Sequence, residues 1–233
     1  MFNGIRTFKN SIIIAFIATS LTGCAQKAAI QPAHQASIST GPRLELRLTP
    51  GPFYEHEVRT LFARYTVRPQ VAVWMETLDG SYIGTIYVTE AVAKSRYKMA
   101  PSKGRPEALP VWSGKKEDGI DALSSPTTVG KESVNGSTLV FGLKPGRYAI
   151  MLETNRSYDW NATYTRKNSG VNGQPSIIYR AELEIGCGSN TALFQPIGTG
   201  SVDGSDSRIR PGLHGIDTAL QLFSSMQVTS REQ

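Results

Sequence analysis

Arg43-Leu44-Glu45-Leu46-Arg47-Leu48 alternates charged and leucine side chains across six positions. A period of two puts the three leucines on one face of an extended strand and the charges on the other. One wet face and one apolar face belong to an antiparallel sheet, because parallel sheets are covered on both sides. The same signature returns where Tyr179, Ala181, Leu183 and Ile185 alternate with Arg180, Glu182 and Glu184. Between them, Val71, Val73 and Met75 alternate with Ala72, Trp74 and Glu76, and Asp79-Gly80 signals a turn before Tyr82 to Val88. Thr138 to Leu143 and Arg147 to Glu153 flank Lys144-Pro145-Gly146, where Pro fixes one φ and Gly admits a positive one, so a second hairpin is expected. Several short strands without regular helical repeats between them predict an all-β sandwich rather than a βαβ fold.

Leu143 through Tyr148 resembles a corner found in many immunoglobulin-like and transthyretin-like sandwiches. The expected fold is therefore a single antiparallel β-sandwich of that kind. Residues 99–135, with Pro101, Pro106, Pro110, Gly114, Gly119 and Pro126, predict a long loop excursion from it. Residues 186–212 are Gly/Ser-rich, and after them Ile216, Ala219, Leu220, Phe223 and Met226 recur at helical spacing, which predicts a short C-terminal amphipathic helix.

The N-terminus carries a different signal. Arg6 and Lys9 precede the apolar run Ile12 to Ala18, which is too short to span a bilayer and has the layout of a secretory leader. Leu21-Thr22-Gly23-Cys24 follows it and resembles the lipobox of bacterial lipoproteins, whose cysteine is acylated, as by palmitate, and becomes the mature N-terminus. Residues 25–42, rich in Ala, Gln, Ser and Pro, read as a flexible tether. The expected layout is a signal peptide over 1–23, a tether over 24–42, the sandwich over 43–186, and a Gly/Ser-rich segment with the amphipathic helix over 187–233. The location this implies is the bacterial cell envelope, lipid-anchored at Cys24 on a membrane facing the periplasm. Ala25, not Asp, follows the cysteine, which by analogy with enteric sorting favours the outer membrane.

Without the leader, the 25 basic side chains fall to 23 against 19 acidic ones, a balance of +4. That charge is scattered along the chain, whereas a nucleic-acid partner wants a clustered basic face. With Cys24 acylated, Cys187 stands alone in Gly186-Cys187-Gly188 and reads as a buried or turn-held thiol.

Catalytic patterns are sparse. His56 and His214 are the imidazoles outside the tether, and neither a Gly-x-Ser-x-Gly elbow nor a zinc-type His pair is present. Gly198-Thr199-Gly200 does not join a strand to a helix as a phosphate loop requires. The chain reads as a non-enzyme without a metal. Asp159, Asn161 and Thr163 alternate like calcium ligands, but Tyr164 and Gly170 occupy the positions that need Gly and a bidentate Glu. The polar-aromatic residues Tyr158, Asp159, Trp160 and Asn161, with Trp112 of the excursion, are instead the candidate contacts for a partner.

Further pieces run in order from Pro69 to Gly186: Val73-Trp74-Met75-Glu76, Leu109-Pro110-Val111-Trp112, Asp121-Ala122-Leu123-Ser124, Pro145-Gly146-Arg147-Tyr148, Glu153 to Asn161, and Ser169 to Tyr179. This stretch, about half the chain, resembles a family of predicted periplasmic proteins catalogued as domain of unknown function 2271. The resemblance implies a periplasmic β-sandwich that sometimes keeps genomic company with membrane redox and flavin-transfer systems. In that light Asp121-Ala122-Leu123-Ser124-Ser125-Pro126-Thr127 resembles an acceptor motif for covalent FMN, with Asp121, Ser124 and Thr127 matching and Ser125-Pro126 replacing Gly-Ala. The leading expectation is a non-catalytic, membrane-anchored lipoprotein without a cofactor, binding or supporting an envelope protein. A flavin-linked electron-transfer accessory carrying FMN on Thr127 is the alternative.

Overall fold

Leu44, Leu46 and Leu48 are all but fully buried, while Arg47 between them is exposed, as their alternation requires of Arg43–Pro50 (β1). The computed structural model describes residues 42–59, 63–93, 105–116, 128–129, 134–139 and 143–232. After β1 come a hairpin of His56–Arg59 (β2) and Arg64–Val67 (β3), then Gln70–Glu76 (β4) and Tyr82–Val88 (β5) around the Asp79-Gly80 turn. Glu90–Ala93 (α1) follows, and a 3-10 turn over Pro106–Ala108 leads into Pro110–Lys115 (α2). The chain continues through Thr128–Val129 (β6), Val134–Leu139 (β7), Gly146–Asn155 (β8), Arg166–Ser169 (α3) and Ile177–Ile185 (β9). It ends with Asn190–Leu193 (β10), Gln195–Thr199 (β11), Arg210–Pro211 (β12), a 3-10 turn over Thr218–Gln221, and Phe223–Arg231 (β13).

Two antiparallel sheets result, ordered β10-β13-β1-β7-β6 and β12-β11-β9-β8-β4-β5, with β2 and β3 forming a separate hairpin. The leucines of β1 and Val228 of β13 pack against Val71, Val73 and Met75 of β4, Ile150 and Leu152 of β8, and alternate residues of β9. That is a sandwich core, and the all-β architecture is as expected. A second core lies on the other face of the larger sheet, where Ala72, Trp74, Ala149, Met151 and Ile178 meet Val92, Leu109, Val111 and Trp112. The excursion therefore supplies an ordered strap over 105–116 as a third layer. This is why β4 is buried on both faces while β1 is not.

Three expectations need correction. Lys144-Pro145-Gly146 does not close a hairpin: β7 pairs with β1 and β6 in one sheet, and β8 pairs with β4 and β9 in the other. Pro-Gly chemistry suits a crossing between layers as well as a hairpin, and long-range pairing with β1 decides the matter. The helical spacing from Ile216 to Met226 does not produce an α-helix. The helical part is the 3-10 turn Thr218–Gln221, and β13 follows it, paired with β1 from Arg43↔Arg231 to Pro50↔Phe223. The open edge of β1 offers backbone donors and acceptors that a helix could not satisfy. The sandwich consequently runs past residue 186, because β10, β11 and β12 lie in the Gly/Ser-rich segment and join both sheets.

The registers also define two ends. Arg43 pairs with Arg231 and Leu139, and Gly146 with Ile185, so these residues share one end. Pro50 pairs with Phe223, Gln70 with Asn155 and Thr154 with Ile177 at the other. The Asn155-to-Asn161 segment leaves β8 at the end opposite Arg43.

Candidate functional site

β8 alternates as a strand must. Ile150 and Leu152 enter the inter-sheet core, while Ala149, Met151 and Glu153 face the strap. Glu153 is fully buried and accepts hydrogen bonds from the backbone N–H of Val111 (3.2 Å) and Trp112 (2.7 Å) and from Ser176 Oγ (2.6 Å). Pro110, which has no N–H, opens α2, so the carboxylate meets the first two donors that the helix offers. Burial pushes the Glu153 carboxyl up to about 7, against these three hydrogen bonds, which favour its ionised form. Gly200 must be glycine here, because a Cβ would lie 2.4 Å from Ser176 Oγ and 3.1 Å from Glu153 Oε1.

The strap is fastened at its far end as well. Lys115 Nζ lies 2.8 Å from Glu76 Oε1 and donates to the Gly80 carbonyl at 3.0 Å, and Trp74 Nε1 donates to the same Glu76 oxygen at 2.7 Å. Trp112 is 5 % exposed and donates from Nε1 to Thr85 Oγ1 at 2.9 Å, with Lys116 Nζ 5.0 Å from its ring centroid. As a candidate contact Trp112 is thus corrected: it is a core residue of the second layer, packed with Leu109 and Val111 of the strap beneath β4, β5 and β8.

At the end opposite Arg43 lies a second buried polar assembly. The Arg156 guanidinium donates to the Phe53 carbonyl and to Asp159 Oδ1, with both side chains of the pair about 5 % exposed. Asp159 Oδ1 also accepts from Thr218 Oγ1 at 2.7 Å, and Oδ2 accepts from Gln174 Nε2 at 3.1 Å. Gln174 Oε1 in turn accepts from the Asp217 backbone N–H at 2.8 Å, and Asn155 Nδ2 donates to the Gln174 carbonyl at 2.9 Å. Beside it, Arg105 donates to Ser157 Oγ, Asn172 Oδ1 and Glu107 Oε1, while Asn172 Nδ2 donates to the Glu107 and Val202 carbonyls. Gly173, at φ 74°, lets the backbone close in: a Cβ there would lie 2.3 Å from the Asp159 carbonyl carbon.

Asp159 is consequently an internal anchor. Asn161 is one too, accepting on Oδ1 from the Thr163 and Tyr164 backbone N–H groups at 3.0 and 2.7 Å and donating to the Gly215 carbonyl at 2.8 Å. Those two oxygens turn inward, so the alternation with Thr163 does not build a calcium site. Tyr158 and Trp160 remain at the surface. Tyr158 takes a left-handed backbone, φ 62°, which costs a bulky residue about 1–3 kcal/mol. Its N–H donates to the Val171 carbonyl at 2.7 Å, its hydroxyl lies 3.2 Å from that of Tyr65 on β3, and its ring meets Trp160 edge-on at 5.5 Å. Trp160 is 37 % exposed, with Nε1 donating to the Gly170 carbonyl at 2.8 Å and the Arg166 guanidinium 5.8 Å from its ring.

Sequence reading missed Arg156, Gln174, Asn172 and the clamp at Glu153. Polar residues in a turn-rich segment carry no sign of burial until the chain closes over them. Cys187 is exposed in the turn between β9 and β10, where a hydrogen bond with Glu184 pushes its thiol up. Cys24 and Thr127 lie outside the described residues, and with them the lipidation site and the FMN acceptor. Neither a family model, nor a curated protein, nor a solved structure matches the chain.

Glu153 makes a prediction in pH. Its folded value of about 7 exceeds its ordinary value of 4.5, so its contribution is complete below about 4.5 and is lost as pH rises through 7. The described aspartates with resolved shifts are lowered from 3.8 and act below this window. Thermal or urea unfolding should show stability falling by about 2 kcal/mol between pH 5 and 7.5. Glu153→Gln should flatten that slope while costing about 1–3 kcal/mol at low pH, because one amide oxygen cannot accept from both backbone donors.

Proposed function

We propose that this chain is a non-catalytic binding or accessory module of the bacterial envelope, lipid-anchored through Cys24 and presenting the Tyr158–Trp160 loop to a protein partner. The observation that carries the reading is the combination of a strained backbone at Tyr158, a ring surface left open at Trp160, and the buried polar assembly that holds both. A loop fixed before binding loses little conformational entropy on association, which is how rigid scaffolds gain affinity. Tyr, Trp and Arg are also the side chains that dominate interface energetics. The sequence supports the address: a basic leader, a short apolar core and Leu21-Thr22-Gly23-Cys24, followed by Ala25, which favours the outer membrane. The resemblance to the predicted periplasmic family fits the same compartment.

Two measurements test this. In intact mass of the protein from its native host, an acyl addition at Cys24 without flavin is expected, and an added FMN would favour the electron-transfer alternative. Trp160→Ala should change folding stability by no more than about 1 kcal/mol and abolish partner capture. Trp112→Ala should cost about 3–5 kcal/mol by opening the second core. Lost stability at Trp160 with capture intact would refute its role as a contact.

A further inference from the structure

We infer that the Trp160 surface receives an acidic protein segment carrying an apolar side chain; this rests on the binding-module reading and names its partner's chemistry. Two of the large exposed apolar side chains lie together here, Trp160 at 37 % and Val171 at 44 %. The Trp160 N–H bond to Gly170 and the Tyr158 N–H bond to Val171 hold them side by side. Their rim is basic. Arg166 stacks on the indole and Lys167 is exposed beside it, and neither forms an ion pair among the described residues. Of the neighbouring carboxylates, Asp159 is already paired with Arg156, and Asp217, which accepts from the Thr218 backbone N–H, forms no ion pair with either cation among the described residues.

The hairpin of β2 and β3 adds to the positive field. It abuts the loop through the Tyr65 and Tyr158 hydroxyls, and its opposed Arg59 and Arg64 share the single carboxylate of Glu57. Like charges placed opposite each other are destabilising unless something else favours them. A fixed aromatic–aliphatic patch with Arg166 and Lys167 on its rim complements an apolar residue flanked by carboxylates.

A glycan fits less well. Sugar hydroxyls need free amides around the aromatic ring, and here the amides are used internally: Asn161 on Thr163, Tyr164 and Gly215, and Asn168 on the Thr165 N–H and the Thr163 carbonyl. The surface also stands at the end opposite Arg43, so it points away from the strand end that follows the tether sequence.

The test is photo-crosslinking in the native host with the full chain carrying p-benzoylphenylalanine at Val171. The control carries it at Leu78, an equally exposed residue at the Arg43 end. The inference expects a protein adduct from Val171 but not from Leu78, mapped by mass spectrometry to a segment containing Asp or Glu beside an apolar residue. Arg166→Glu with Lys167→Glu should lower its yield at least tenfold, and Arg166→Lys with Lys167→Arg should retain it. An adduct with a second copy of this chain or a non-acidic protein segment would overturn the inference and leave the binding-module reading standing. Insensitivity to charge reversal would do the same. An adduct with a glycan or a lipid, or absence of any Val171 adduct, would overturn both.

Discussion

A buried ion pair, Arg156 with Asp159, organises the end of the sandwich on which the functional reading depends. Desolvating two charges is costly, and such a pair is tolerated only when its remaining donors and acceptors are occupied. Asp159 meets that demand through Thr218 and Gln174, and Arg156 meets it in part, its Nη1 donating to the Phe53 carbonyl while its buried Nε has no partner among the described residues. Those partners belong to the Phe53 turn, the segment leading into β9 and the 3-10 turn before β13. One ion pair therefore ties together three stretches far apart in sequence. The surface loop between them becomes an extension of the core, and that rigidity sustains the left-handed Tyr158.

The same logic operates in the middle of the larger sheet. A sheet with one wet face would need no acidic residue buried beneath a helix. Here the strap covers the second face, and Glu153 is enclosed as the acceptor for the first free donors of α2. The second layer has less apolar surface than the inter-sheet core, so fixed polar contacts at Glu153, Glu76 and Thr85 set its position. Both assemblies show polar groups specifying where apolar layers meet.

Local pattern was enough to recognise much of the architecture. The strict alternations at Leu44–Leu48 and Tyr179–Ile185 and the turn at Asp79-Gly80 place four strands and one hairpin correctly, because each follows from side-chain periodicity alone. Lys144-Pro145-Gly146 and the Ile216–Met226 run misled for the opposite reason. Both are decided by pairing with β1, some 90 to 190 residues away, which no local window contains. The loop residues divide in a similar way. Trp160 stands exposed where an aromatic loop suggested, while Asp159 and Trp112 proved buried and the half-buried Asn161 is tied to its own loop, since exposure depends on how the strap and the Thr218 turn pack.

The central claim is that the Tyr158–Trp160 loop shares the rigidity of the core although it lies outside the sheets. Hydrogen–deuterium exchange of the full chain addresses it directly. The backbone N–H groups of Tyr158, bonded to Val171, and of Gln174, bonded to Asp159, should exchange as slowly as those of β8 and β9. Exchange of these two amides at the rate of exposed turns such as Gly186-Cys187-Gly188 would contradict the account.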